Sequence, residues 1–125
     1  MAWEIYLTNE VETWLDRLLK DDQGSHLQVV ATVEALAEGG PNLGRPLVDR
    51  IKGAKLHNLK ELRPGSSGSS EVRVLFMFDP WRSAILLVAG DKSGNWVNWY
   101  RDAIPHAEDL YAIYVKERAE EEGAQ

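Results

Sequence analysis

Three side chains in the second half of the chain, Arg73, Lys92 and Tyr100, are of types that can cut a phosphodiester without a metal. Such a cut needs a base for the 2′-hydroxyl, an acid for the leaving oxygen and fixed cations for the charge that grows on the phosphate. Lysine, arginine and tyrosine can meet these needs without histidine. Tyrosine is a poor base at its ordinary pKa of about 10, but nearby cations favour the phenolate, and Tyr100 lies between Lys92 and Arg101. Arg63 is a fourth catalytic candidate, on the strand expected beside that of Arg73. Around these, Lys52, Lys55, His57, Lys60, Trp99 and Arg101 form a candidate RNA-binding set. The cations serve phosphate, and the indole of Trp99, like that of Trp96, can stack on a base whatever its identity.

Each of these residues also has a plainer reading. Arg73 can flank its strand against Glu61 as a cross-strand ion pair. Tyr100 can be a core-edge residue with a wet hydroxyl, Trp96 and Trp99 can be core packing, and His57 can be an ordinary loop histidine. Other chemistries are poorly served. With no cysteine in the chain there is no thiolate nucleophile, disulfide or usual zinc set. His26, His57 and His106 lie far apart without a paired-ligand spacing, so no metal is expected. The segment Gly90-Asp91-Lys92-Ser93-Gly94 lacks the residue order of a nucleotide phosphate loop. Asp91, Ser93, Asn95 and Asp102 fall at calcium-loop spacings, but Trp96 stands where the sharp turn needs glycine and the terminal glutamate is missing. No cofactor is implied.

The net charge of −6 argues against phosphate binding until it is divided along the chain. Met1 to Gly44 carries 2 basic and 8 acidic side chains, Arg45 to Arg101 carries 10 and 5, and the remainder carries 2 and 7. Local potential decides where an anion settles, so the basic middle between acidic flanks is the part suited to RNA. Lysine and arginine on strand edges would give the same pattern for solubility alone. Met1 to Asn9 has neither the basic nor the apolar region of a signal peptide, and no apolar run reaches membrane-spanning length. A cytoplasmic protein away from membranes is expected.

A chain of 125 residues supports one core, so a single domain over residues 1–125 is expected. Trp3, Ile5 and Leu7 alternate with polar neighbours as in a half-buried strand. Thr8 or Asn9 caps a first helix running to about Lys20, with Glu12 completing a capping box. Leu27, Val30 and Ala31, with Val29, Val33 and Leu36, predict a second helix that ends at Gly39-Gly40-Pro41. Asn42 to Leu56 reads as an ordered loop. Strands follow over Leu59–Arg63, Glu71–Phe78 and Ala84–Ala89, joined by a Ser/Gly hairpin loop at Pro64–Ser70 and a turn at Asp79-Pro80, making the sheet largely a meander. Arg73 falls opposite the row Val72, Val74, Phe76 and Phe78, away from the N-terminal helices. Gly90 to Arg101 reads as irregular, Pro105 opens a last helix, and a charged tail from Glu117 is expected to fray. The expected fold class is α+β: an N-terminal helical hairpin on a small, mostly antiparallel sheet, with a C-terminal helix.

The strings Arg45-Pro46-Leu47-Val48-Asp49, Asn58-Leu59-Lys60-Glu61-Leu62-Arg63, Val72-Arg73-Val74-Leu75-Phe76 and Gly90-Asp91-Lys92 resemble the phage Gp49-like branch of HigB toxins, in the RelE/ParE toxin superfamily. The likeness runs in order from about Trp3 to Val115. It implies a RelE-like fold and the toxin of a bacterial type II toxin–antitoxin pair, one that cleaves messenger RNA on the translating ribosome. A co-encoded antitoxin, HigA-like and DNA-binding, would silence it. By motif position Arg73 resembles the mid-strand arginine that binds the scissile phosphate, Lys92 the basic residue closing the last strand, and Tyr100 the late tyrosine. Arg63 and Lys60 match the basic positions of the first strand of the meander. The alternative within the superfamily is a ParE-like, non-enzymatic toxin that inhibits a protein such as DNA gyrase. One departure is the acidic net charge, where many of these toxins are basic.

Overall fold

In the structure, a computed structural model, residues 2–65, 68 and 70–123 are described. The alternating N-terminal segment forms β1 (Glu4–Leu7), with Glu4 and Tyr6 facing outward. Helix α1 (Asn9–Asp21) begins at once because the Thr8 hydroxyl accepts the Val11 N–H at 3.3 Å, satisfying one of the unpaired amides of the first turn. Asp22 repeats that role for α2 (Gln23–Gly39), accepting from the Ser25 N–H at 3.1 Å. Gly40 stops α2 with φ of 55°, and a Cβ there would collide with the Trp3 indole packed beside it. Glycine at this position thus both turns the chain and admits the tryptophan.

Four more strands follow, β2 (Val48–Arg50), β3 (Lys60–Leu62), β4 (Val72–Phe78) and β5 (Ser83–Asp91), then helix α3 (Trp96–Gly123). The sheet order is β1-β5-β4-β3-β2, in which β2 to β5 form an antiparallel meander and β1 adds in parallel beside β5. This is the expected α+β class with the hairpin α1–α2 on one sheet face. Val11 and Leu36 from the hairpin pack there on Val74, Phe76 and Leu86. Leu59, Leu75, Ile85 and Leu87 are solvent-free on the other face, under Ala103 and Ala107 of α3. Each such buried aliphatic contributes roughly 1.5–3 kcal/mol relative to exposure.

Several expectations need correction. The expected loop Asn42–Leu56 contains β2, a strand of three residues too short to show a period, held by pairing Val48 with Leu62 and Arg50 with Lys60. The segment Gly90–Arg101 is largely regular, since β5 runs to Asp91 and α3 starts at Trp96. Pro105 therefore lies inside α3 rather than at its start. A proline there forfeits one backbone hydrogen bond, and burial of Ala103 and Ala107 on either side offsets the loss. The tail beyond Glu117 remains helical to Gly123. Arg118 fastens it: the guanidinium lies over the rings of Tyr6 and Trp81, 5.4 and 5.3 Å from their centroids, and donates to the Tyr114 hydroxyl at 3.0 Å. That hydroxyl donates in turn to Asp79 Oδ2 at 2.6 Å, on the turn joining β4 to β5. The expected hairpin loop Pro64–Ser70 lies partly outside the described residues.

One irregularity decides what meets under α3. Between Leu75 and Phe76 the pairing with β5 shifts, so Leu75 faces Val88 while Phe76 faces Leu86. Leu87 is the extra residue, a β-bulge, and Leu87 and Val88 both turn to the α3 side. Beyond the bulge the alternation of β5 is reversed. Gly90 then pairs with Arg73 and lies on the face that α3 covers, instead of the face of the hairpin.

Candidate active site

Arg73 leaves β4 on the α3 side, as its alternation with Val72 and Val74 requires. Helix α3 roofs that face, leaving the Arg73 side chain 13% exposed, and Nη1 donates to the Val72 carbonyl at 2.8 Å. Lys92 comes from the end of β5 and Tyr100 from the second turn of α3. The Lys92 ammonium sits 5.4 Å from the centroid of the Tyr100 ring. Tyr100 and Arg73 both reach Glu61 of β3, and Lys92 joins them through the Tyr100 ring.

Glu61 is 5% exposed, a buried carboxylate that the sequence offered only as a strand partner for Arg73. Its Oε1 accepts the Tyr100 hydroxyl at 2.5 Å and lies 4.0 Å from Arg73 Nε, while Oε2 lies 3.3 Å from Arg63 Nε. The Nε atoms of both arginines are buried without a hydrogen-bond partner, since these ion pairs lack hydrogen-bond alignment. Arg63 also reaches Asp49 Oδ2 at 3.4 Å, and Arg45 meets the same oxygen at 3.0 Å. On the solvent side, Glu71 spans the two remaining cations, 3.9 Å from Arg73 and 3.6 Å from Lys92. A carboxylate held by three partners needs no sequence signature beyond an acid on a strand between Lys60 and Arg63, which is why it escapes notice before the register is known.

The environment of Tyr100 reverses the expectation of a phenolate. Burial raises its pKa above the ordinary 10.0 and the hydrogen bond to Glu61 raises it further, outweighing the opposite pull of Arg73. Ionising the phenol would set two anions side by side. Tyr100 is therefore a neutral donor, and the carboxylate that accepts from it is Glu61. Burial likewise raises Tyr111 and Tyr114, with Asp79 adding to both. Because the folded pKa lies above the unfolded one, these protonated phenols stabilise the fold at pH below about 10, and that contribution is lost as pH rises through the folded values. Phenolate absorbance from the three should thus develop only above pH 10 and together with unfolding. A native chain in which Tyr100, Tyr111 and Tyr114 titrate at the ordinary value would contradict these surroundings.

The other sequence candidates divide. Trp99 is half-buried, its indole lying on Gly90 and its ring centroid 5.1 Å from that of Tyr100, so it buttresses the site. A Cβ on Gly90 would collide with the Trp99 Nε1. Gly90→Ala should push Trp99 and the first turns of α3 off the sheet. The expected result is a loss of about 1–3 kcal/mol in denaturant melts, as for other overpacked sites, with Tyr100 carried away from Glu61. An unshifted melt would show that α3 adapts freely. Lys60 is not brought to the cluster: it sits on the hairpin face with its ammonium 5.3 Å from the Phe78 ring centroid. Lys52, Lys55 and His57 are exposed on the connection from β2 to β3, pinned to α3 where Glu108 accepts the Leu56 N–H at 2.8 Å. Arg101 is exposed beside Asp102, 3.6 Å away. The bulge at Leu87, not any motif, carries Gly90 beneath Trp99 and so places Tyr100 over Glu61.

Comparison with known proteins bears on the family and the fold. Residues 13–112 match the family Phage derived protein Gp49-like (DUF891). Two Mycobacterium tuberculosis (strain H37Rv) proteins bearing toxin names are similar throughout the core. HigB2 is 48% identical over 105 residues, spanning 84% of this chain and 51% of its own length. HigB3 is 46% identical over 104 residues, spanning 83% of this chain and 86% of its own. The chain thus spans about half the length of the first relative and most of the second. A free-state structure of a doubly substituted Escherichia coli toxin RelE aligns with a TM-score of 0.56 at 12% identity, over 78% of this chain and 92% of that one, a likeness of fold.

Proposed function

Since the chain belongs to the phage Gp49-like family of HigB toxins in the RelE superfamily, we propose that it is the toxin of a type II toxin–antitoxin pair and a metal-independent messenger endoribonuclease. The observation that carries this reading is the cluster of Arg73, Lys92 and Tyr100 from three different elements, in which Tyr100 and Arg73 reach the buried Glu61 carboxylate and the Lys92 ammonium lies against the Tyr100 ring. Glu61 takes the proton of the 2′-hydroxyl as its oxygen attacks phosphorus. Tyr100, kept protonated, gives its proton to the departing 5′-oxygen, leaving a 2′,3′-cyclic phosphate on one fragment and a hydroxyl on the other. Arg73 and Lys92 hold the phosphoryl oxygens as their charge grows. Glu71, with its side chain 53% exposed, sits where that phosphate would lie and yields to it.

A closed cluster of ion pairs in the free chain suits an enzyme that acts only where another particle presents the RNA. Ribosome-bound messenger RNA in the cytoplasm is the substrate proposed, with a HigA-like, DNA-binding antitoxin as the silencing partner. Brief expression followed by primer extension tests the reading. Discrete cuts that disappear when translation is blocked are expected. Growth arrest without cuts would overturn it in favour of a ParE-like inhibitor of a protein target.

A further inference from the structure

Two tryptophans near the site share one chemistry, and the structure separates them. Trp99 is committed to Gly90 and Tyr100. Trp96, in the first turn of α3, is 59% exposed, and Val97 beside it is exposed as well. Among the described residues Trp3, Trp81 and Trp99 have ring or cation partners, whereas Trp14 and Trp96 have none, and of these two only Trp96 is exposed. A large indole left in water on an ordered turn is a contact surface awaiting a flat apolar partner.

Its position specifies the partner. Trp96 and Tyr100 are four residues apart on one helix, so they share a face. Helical side chains lean toward the N-terminus, which tips Tyr100 toward the turn carrying Trp96. From the other direction the chain leaves Lys92 through a tight turn, in which the Lys92 N–H donates to Glu71 O at 3.0 Å and the Asn95 N–H donates to Lys92 O at 3.1 Å. Trp96 thus lies four residues from Lys92 on one side and four from Tyr100 on the other. Resting on the ribonuclease reading above, we propose that Trp96 is an RNA-binding residue on which the nucleobase next to the scissile phosphate stacks. The ring then sets how far that nucleotide enters, which aligns the phosphodiester with Lys92 and Tyr100. Stacking of this kind is tolerant of base identity. It follows that Trp96 tightens binding without dictating which base is cut.

The test uses full-length chain and ribosomes programmed with a message whose 2′-hydroxyls are methylated, so that it binds but cannot be cut. Trp96→Ala should bind about 5- to 150-fold more weakly than the unaltered chain, the range for one lost base stack, while Trp96→Phe stays within about threefold. Circular dichroism checks that the exposed substitutions leave the fold intact. Equal binding by Trp96→Ala would overturn the proposal, as would an equal loss in Trp96→Phe or no binding by the unaltered chain. Cleavage of the unmethylated message reports separately on the ribonuclease reading. Its absence, with the binding difference intact, would sink the nuclease and leave the stacking residue standing.

Discussion

Replacing Tyr100 by phenylalanine is expected to slow single-turnover cleavage on programmed ribosomes by roughly 10²–10⁴-fold, the usual worth of a positioned proton donor. The substitution is a clean one. It keeps the ring, hence the contact with Trp99 and the Lys92 ammonium over its face. Glu61 loses the phenol and retains Arg63 and Arg73. A hydrogen bond to a charged group contributes about 1.5–3 kcal/mol, discounted here because Tyr100 is only partly buried, so a modest fall in melting temperature is expected and the fold should persist. The pH dependence sharpens the test. A phenol held above the ordinary value by burial and by Glu61 cannot act as a base at neutral pH. The unaltered chain should therefore keep its rate through mildly alkaline pH, and a loss centred there would point to another donor. Unchanged cutting by Tyr100→Phe would leave the ring, and not the hydroxyl, as the part that matters.

Which groups could meet was legible before any coordinates, while their protonation was not. The period of two in Val72–Phe78 puts Arg73 on the face away from the hairpin, and the structure has it there. The apolar periodicity of the N-terminal half placed both helices, with a cap at Thr8 or Asn9 and a stop at Gly39-Gly40-Pro41; the structure settles the first cap on Thr8 and adds Asp22 as the second. Hidden from periodicity were features made by pairing. β2 has only three residues, and the bulge at Leu87 exists only as a mismatch between two strands. Pro105 misled because its preference for a first helical turn is a weak prior that the packing of Ala103 and Ala107 overrides. The phenolate expectation counted the cations along the sequence near Tyr100. It omitted Glu61, 39 residues away, whose carboxylate decides the sign.

Arg73→Ala should cost twice, once in rate and once in stability. Losing a fixed cation from a developing phosphorane lowers the rate by about 10²–10³-fold, as with other preorganised donors. The same change also removes a nearly buried side chain from Glu61 and Glu71 and from the Val72 carbonyl, with a stability cost of about 1–3 kcal/mol. The strand alternation alone puts Arg73 on the face away from the hairpin, and the roof of α3 makes that position an interior one. Relief of growth arrest by Arg73→Ala would therefore be ambiguous between a lost site and a lost fold. Arg73→Lys separates the two, because it restores the charge and much of the packing but not the planar fork that can grip two phosphoryl oxygens. If Arg73 binds the scissile phosphate, the lysine variant should melt near the unaltered chain while its cleavage stays well below. If Arg73 only neutralises Glu61, the lysine variant should regain stability and cleavage together, and the phosphate would have to be held by Lys92 and Arg63.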